Sequence, residues 1–103
     1  MKSSSLSILV VDDEQELATL YKEFIIELGY EAISFTNPAI ALEYCQQCLD
    51  KYSMILTDLR MPGMSGIEFA NNIREVNSKV KIFLTTAFDI DDIKNYRNYK
   101  EAK

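Results

Sequence analysis

The chain has 103 residues, 48% hydrophobic and 26% charged, with 16 acidic against 11 basic residues and a net charge of −5. That length fits one domain, the composition is that of a folded globule, and the acidic balance argues against direct nucleic-acid binding, which needs clustered Lys and Arg. Histidine is absent, which removes Ser-His-Asp and Cys-His catalysis and imidazole metal sites and leaves carboxylates, hydroxyls and lysines.

Met1–Ser5 leads into a short apolar run at Leu6–Val11. It falls far below the ~20 residues of a membrane helix and is too short for a signal segment, so a cytoplasmic protein with no membrane attachment is expected. The same run is continuous and rich in β-branched residues, as a strand buried on both faces would be. From Glu14 to Leu28, Leu17, Leu20, Tyr21, Phe24, Ile25 and Leu28 recur at helical spacing, and Gly29 stands where a glycine ends a helix.

Glu31–Phe35 predicts a second strand. Asn37 and Pro38 then give a cap and a first-turn proline for a helix running to about Leu49. Within it, Cys45 and Cys48 stand as Cys-Gln-Gln-Cys. Thioredoxin-like redox pairs share that spacing, but here no strand leads into a helix start at the pair. With Ala41, Leu42 and Leu49 the two cysteines read instead as small hydrophobes on one helix face.

Ser53–Thr57 predicts a third strand and Met61–Gly66 a loop broken by Pro62 and two glycines. Ile67–Val76 predicts a third helix, Val80–Thr85 a fourth strand, and Asp89 to about Ala102 a fourth helix. Strands alternating with helices imply an α/β fold, a doubly wound parallel sheet with right-handed crossovers.

In such sheets, binding sites lie beyond the carboxyl ends of the strands, where strand order reverses. Here the first strand ends at Asp12-Asp13, the third at Asp58 and the fourth at Thr85-Thr86. Neighbouring strands lie ~4.8 Å apart, so three carboxylates would converge if the first and third strands adjoin. They would repel one another unless a cation neutralised them, and a few carboxylates with water suit Mg²⁺. Acidic residues after the first strand also favour a helix N-terminus on their own account. Aspartates ending two separate buried strands weigh toward a functional site.

Three runs carry a family resemblance. Ile8-Leu9-Val10-Val11-Asp12-Asp13-Glu14 resembles the start of a response-regulator receiver domain. Ile55–Gly66, with Asp58 followed by Met61-Pro62 and then Gly63 and Gly66, resembles that family's phosphorylation loop. Ile82–Ala87 resembles its fourth strand, ending Thr86-Ala87. The resemblance implies a flavodoxin-like receiver fold and a place in two-component signalling. Asp58 would accept a phosphoryl group from a histidine kinase, a phosphotransfer protein or a small phosphodonor, and the change would be read by a downstream effector protein. Asp13 and Asp58 would hold Mg²⁺ directly with the backbone carbonyl of Arg60, Asp12 would act through a water, and Thr86 would sense the phosphoryl oxygen by hydrogen bonding. Such a chain is a phosphoacceptor, at most modifying itself, rather than an enzyme acting on other substrates.

The family continues into a fifth strand that ends in a lysine, and then a fifth helix, whereas this sequence stops at Lys103. The expected domain therefore spans 1–103, shortened at its C-terminus, with strand order 2-1-3-4 and the fifth strand missing. Lys81 begins the fourth strand, roughly 16 Å from its far end, and is not expected to replace that lysine; nor are Lys100 and Lys103. An uncovered fourth-strand edge would invite a homodimer or another partner. An alternative is a receiver-like interaction module that no longer switches. A magnesium-dependent phosphohydrolase fits less well, because neither Asp12-Asp13-Glu14 nor Asp58-Leu59-Arg60 supplies Asp-x-Asp.

Overall fold

A computed structural model of the chain describes residues 6–48 and 50–85. The elements are β1 (Ser7–Val11), α1 (Gln15–Glu27), β2 (Glu31–Phe35), α2 (Pro38–Gln47), β3 (Met54–Asp58), α3 (Gly66–Val76) and β4 (Lys81–Thr85). All pairings are parallel and the sheet order is β2-β1-β3-β4, the expected α/β arrangement. The helix expected over Asp89–Ala102, together with Thr86, Lys100 and Lys103, lies outside the described residues.

β1 runs through the middle of the sheet, and its side chains divide between two cores. Leu9 and Val11 join Ala41 and Cys45 of α2, Phe69 and Ile73 of α3, and Ile55 on one face. Ile8 and Val10 pack with Ile25 and Tyr21 of α1 on the other. A continuous apolar run is what burial on both faces requires.

Helix α1 departs from the expected apolar stripe. Leu17, Ala18 and Ile25 are buried, while Leu20, Leu28 and Phe24, the last 61% exposed, are not. Leu20, Phe24 and Leu28 follow one another at four-residue spacing, and that line is rotated around the helix from the line that meets the sheet. Periodicity alone did not separate the two lines.

The helix ends follow local chemistry. Asn37 Oδ1 accepts from the N–H groups of Ala39 and Ile40 at 2.9 and 3.3 Å, with Pro38 as the first residue of α2. Gly29 follows α1 with φ +102°, a left-handed conformation that a side chain would strain. Ser65 and Glu68 form a reciprocal capping box at the start of α3. Strand β3 extends one residue further than its apolar run suggested. Asp58 still pairs with Thr85, and Leu59 N–H donates to Thr85 O at 2.9 Å.

Candidate functional site

Val11 pairs with Thr57 across β1 and β3, so the next residues, Asp12 and Asp58, leave adjacent strands at the same level. With Asp13 they form a group whose carboxylate oxygens lie within 4.8 Å of one another, a separation equal to about one strand spacing. The sheet itself creates the cluster, as expected. Asp12 and Asp58 are only 2% and 6% exposed, while Asp13 faces solvent.

Burial shapes the electrostatics. Desolvation pushes Asp12 up to about 6, reinforced by the charges of Asp58, Asp13 and Glu14 and opposed by the Glu14 N–H, which donates to Asp12 Oδ1 at 2.9 Å. Asp58 is also raised, first by desolvation and then by Asp13, against the opposing N–H groups of Arg60 and Leu59. The field reaches α1, where burial raises the Tyr21 hydroxyl with help from both carboxylates. Asp58 Oδ1 is buried and accepts no hydrogen bond from the described residues. Buried polar atoms without partners are rare and call for an explanation.

Asp12 serves a second purpose. Glu14, the N-cap of α1, makes no capping bond with its own side chain, and the Asp12 carboxylate binds the Glu14 N–H instead. The helix-terminus reading of these acids and the site reading therefore both hold for Asp12.

The loop after β3 is set by residues whose part was not legible as such. Met61 is buried in the larger core and tethers the loop beneath the site. Gly63 has φ +84°, the turn-making role expected of it. Gly66 does something different from the expected loop turn, because it is the first residue of α3. A Cβ built there would lie 2.2 Å from the Asp58 carbonyl oxygen and 3.0 Å from the Leu59 Cα. The Gly66 N–H donates to Leu59 O at 2.8 Å. Its missing side chain lets α3 begin against the backbone of Asp58. The Ser65-x-x-Glu68 spacing was the available signal for that helix start.

Of the residues singled out, Asp12, Asp13 and Asp58 come together. Arg60 follows Asp58 by two positions in the exposed start of the loop, and Thr86 lies outside the described residues. Thr85 is the cross-strand partner of Asp58.

The sequence model of the response regulator receiver domain matches residues 8–100. The chain belongs to that family. The response regulator receiver protein CpdR of Brucella abortus is 33% identical over 81 residues, covering 79% of this chain and 66% of that protein. The matched stretch takes in only 19–35% of three longer relatives. The response regulator TrrA of Thermotoga maritima, solved in complex with Mg(2+)-BeF, superposes with a TM-score of 0.71 at 36% identity. That match covers 88% of this chain and 79% of TrrA. A complex of histidine kinase ThkA with TrrA matches at TM-score 0.68 and 29% identity, over 91% of this chain and 97% of the matched one. This receiver domain thus carries its acidic cluster on the flavodoxin-like fold shared with its neighbours. No helix among the described residues is long and apolar enough to cross a membrane.

Proposed function

We propose that this receiver domain takes a phosphoryl group on Asp58 in a Mg²⁺-dependent reaction, with a histidine kinase, a phosphotransfer protein or a small phosphodonor as the source. The observation that carries the reading is the convergence of Asp12, Asp13 and Asp58, with Asp58 Oδ1 buried and unpartnered among the described residues. Two buried carboxylates raised by desolvation and by their neighbours' charge are the donor set that a small hard cation stabilises. Mg²⁺ would be held by Asp13, Asp58 and the Arg60 carbonyl, with Asp12 acting through a water, and would neutralise charge gathering on the transferred oxygens. A neighbour's capture with Mg(2+)-BeF supports the same assignment.

In this reading Asp58 is the nucleophile: one carboxylate oxygen forms the new bond to phosphorus as the donor's oxygen or nitrogen departs. The N–H groups of Leu59 and Arg60, already opposed to the burial of Asp58, orient its carboxylate. Asp12 stays close without reacting, held by Glu14 N–H. Thr86, next after the cross-strand partner of Asp58, would bond the new phosphoryl oxygens, and the roughly two added negative charges would draw it in and bias the adjoining loop. The shape change would be passed to an effector protein in the cytoplasm. Phe83 and Leu84 of β4 are each about half exposed, which favours association along that strand as a homodimer, to be checked by sedimentation with and without phosphodonor.

The test is intact-protein mass after incubation with Mg²⁺ and acetyl phosphate, beside Asp58→Asn. A gain of one phosphoryl group in the parent and none in the variant is expected. Folded parent protein that stays unmodified by acetyl phosphate and by a panel of histidine kinases would overturn the assignment and favour an interaction module that does not switch.

A further inference from the structure

Cys45 and Cys48 lie at the far end of the sheet from the carboxylates. α2 starts just beyond the carboxyl end of β2 and runs back toward the opposite rim, where the cysteines close it. Both are free thiols. Cys45 is 8% exposed within the larger core, and Cys48 is half-buried.

The helix changes character between them. Cys48 is the C-cap, with φ −130° and ψ 58°, and its N–H donates to Cys45 O at 3.1 Å. That bond spans three residues, as in a 3₁₀ turn, although Cys48 itself has left helical dihedrals. Even in an α-helix, residues three apart have Cα atoms about 5 Å from each other, inside the ~4.4–6.8 Å range of disulfides. Both cysteines also line one small cavity of about 10 Å³, bounded by Tyr52, Ile55, Ile73 and Val80. That space is about one water molecule in size.

We propose that Cys45 and Cys48 are a redox-active thiol pair that closes to an intramolecular disulfide across the last turn of α2. The oxidant is a small peroxide. The half-buried Cys48, the more accessible of the two, reacts first: its sulfur attacks one peroxide oxygen, an S–O bond forms, the O–O bond breaks, and the departing hydroxide takes up the Cys48 proton as water. Cys45 then attacks the Cys48 sulfur, the S–S bond forms, the S–O bond breaks, and the Cys45 proton departs with the hydroxide as a second water. Two thiols lose two electrons and hydrogen peroxide gains them. The order follows from access: Cys45 is buried in the larger core, whereas Cys48 is half-buried at the helix end. Burial also raises the Cys45 thiol to about 11, so Cys45 gives up its proton only as it attacks, to the hydroxide leaving Cys48.

The experiment treats the full chain with a small excess of hydrogen peroxide, then measures intact mass and iodoacetamide uptake after unfolding without reductant. The expected result is loss of the mass of two hydrogen atoms, loss of both alkylation sites, and recovery of both with dithiothreitol. Cys48→Ser, at the half-exposed position and checked for native circular dichroism, should keep Cys45 alkylatable after the same treatment. The parent measurement decides whether or not that variant folds. Parent protein that gains oxygen mass, dimerises through a disulfide, or retains both alkylatable thiols refutes the pair.

Discussion

Replacing Gly66 with alanine probes the contact between α3 and the backbone that carries Asp58. The added Cβ would stand 2.2 Å from Asp58 O, with Asp58 C and Leu59 Cα both at 3.0 Å. Non-bonded heavy atoms settle at roughly 3.5–4.0 Å, so either the start of α3 or the end of β3 must move by about 1 Å. All three obstructing atoms are backbone, and no rotamer change relieves them. Forcing an extra methyl into packed surroundings costs about 1–3 kcal/mol. Alanine's better helix propensity returns at most about 1 kcal/mol, and less at the first helical position. A net loss of about 1–2 kcal/mol is expected, read as a lower urea midpoint at unchanged slope.

The same displacement falls on Asp58, the proposed phosphoacceptor. An ångström of misplacement at a reacting group can cost about a hundredfold in rate, so phosphorylation by acetyl phosphate should slow by one to two orders of magnitude. Gly63→Ala is the comparison. It has open space around its Cβ but a φ of +84°, so it should lose about 1 kcal/mol of stability with a smaller effect on rate. Gly66→Ala protein as stable as the parent and phosphorylated at the parent rate would refute the close-approach reading.

Three further outcomes follow from the same geometry. Because Asp12 is raised from 3.8 to about 6, the folded chain binds its proton more tightly than the unfolded chain does. Its contribution to stability is therefore complete below about 3.8 and is lost as pH rises through about 6, a span worth at most about 3 kcal/mol. Urea unfolding in EDTA should show the protein more stable at pH 5.5 than at pH 7.5, and saturating Mg²⁺ should reverse that order; a metal-free stability that falls on acidification over this range contradicts it. Phe69→Ala removes the largest fully buried side chain among the described residues and should cost about 3–5 kcal/mol, measured by thermal or urea unfolding. Ser65→Ala removes one half of the α3 capping box and should cost about 1 kcal/mol, with a proportionate drop in melting temperature.

The sequence by itself determined the order of the elements from β1 to β4, the parallel sheet and the identity of the acidic cluster. Those features rest on short-range physics. A strand buried on both faces must be continuously apolar, as Ile8–Val11 is; Asn37 and Pro38 can serve a helix start and little else; and aspartates placed just past two buried strands must emerge at the same rim once the strands are neighbours. The tertiary structure decided what depends on distances between segments remote in sequence. Phe24 and Leu17 share the same helical periodicity, yet only Leu17 is buried, because rotation about the α1 axis is set by packing. Gly66 looks like any loop glycine until Asp58 O is seen 2.2 Å from its would-be side chain. Asp12 and Asp58 are ordinary acids in the sequence. Their raised pKa values arise first from desolvation, then from neighbouring carboxylates. The burial, like the charge of Asp58 on Asp12 and of Asp13 on Asp58, exists only after β1 and β3 lie side by side.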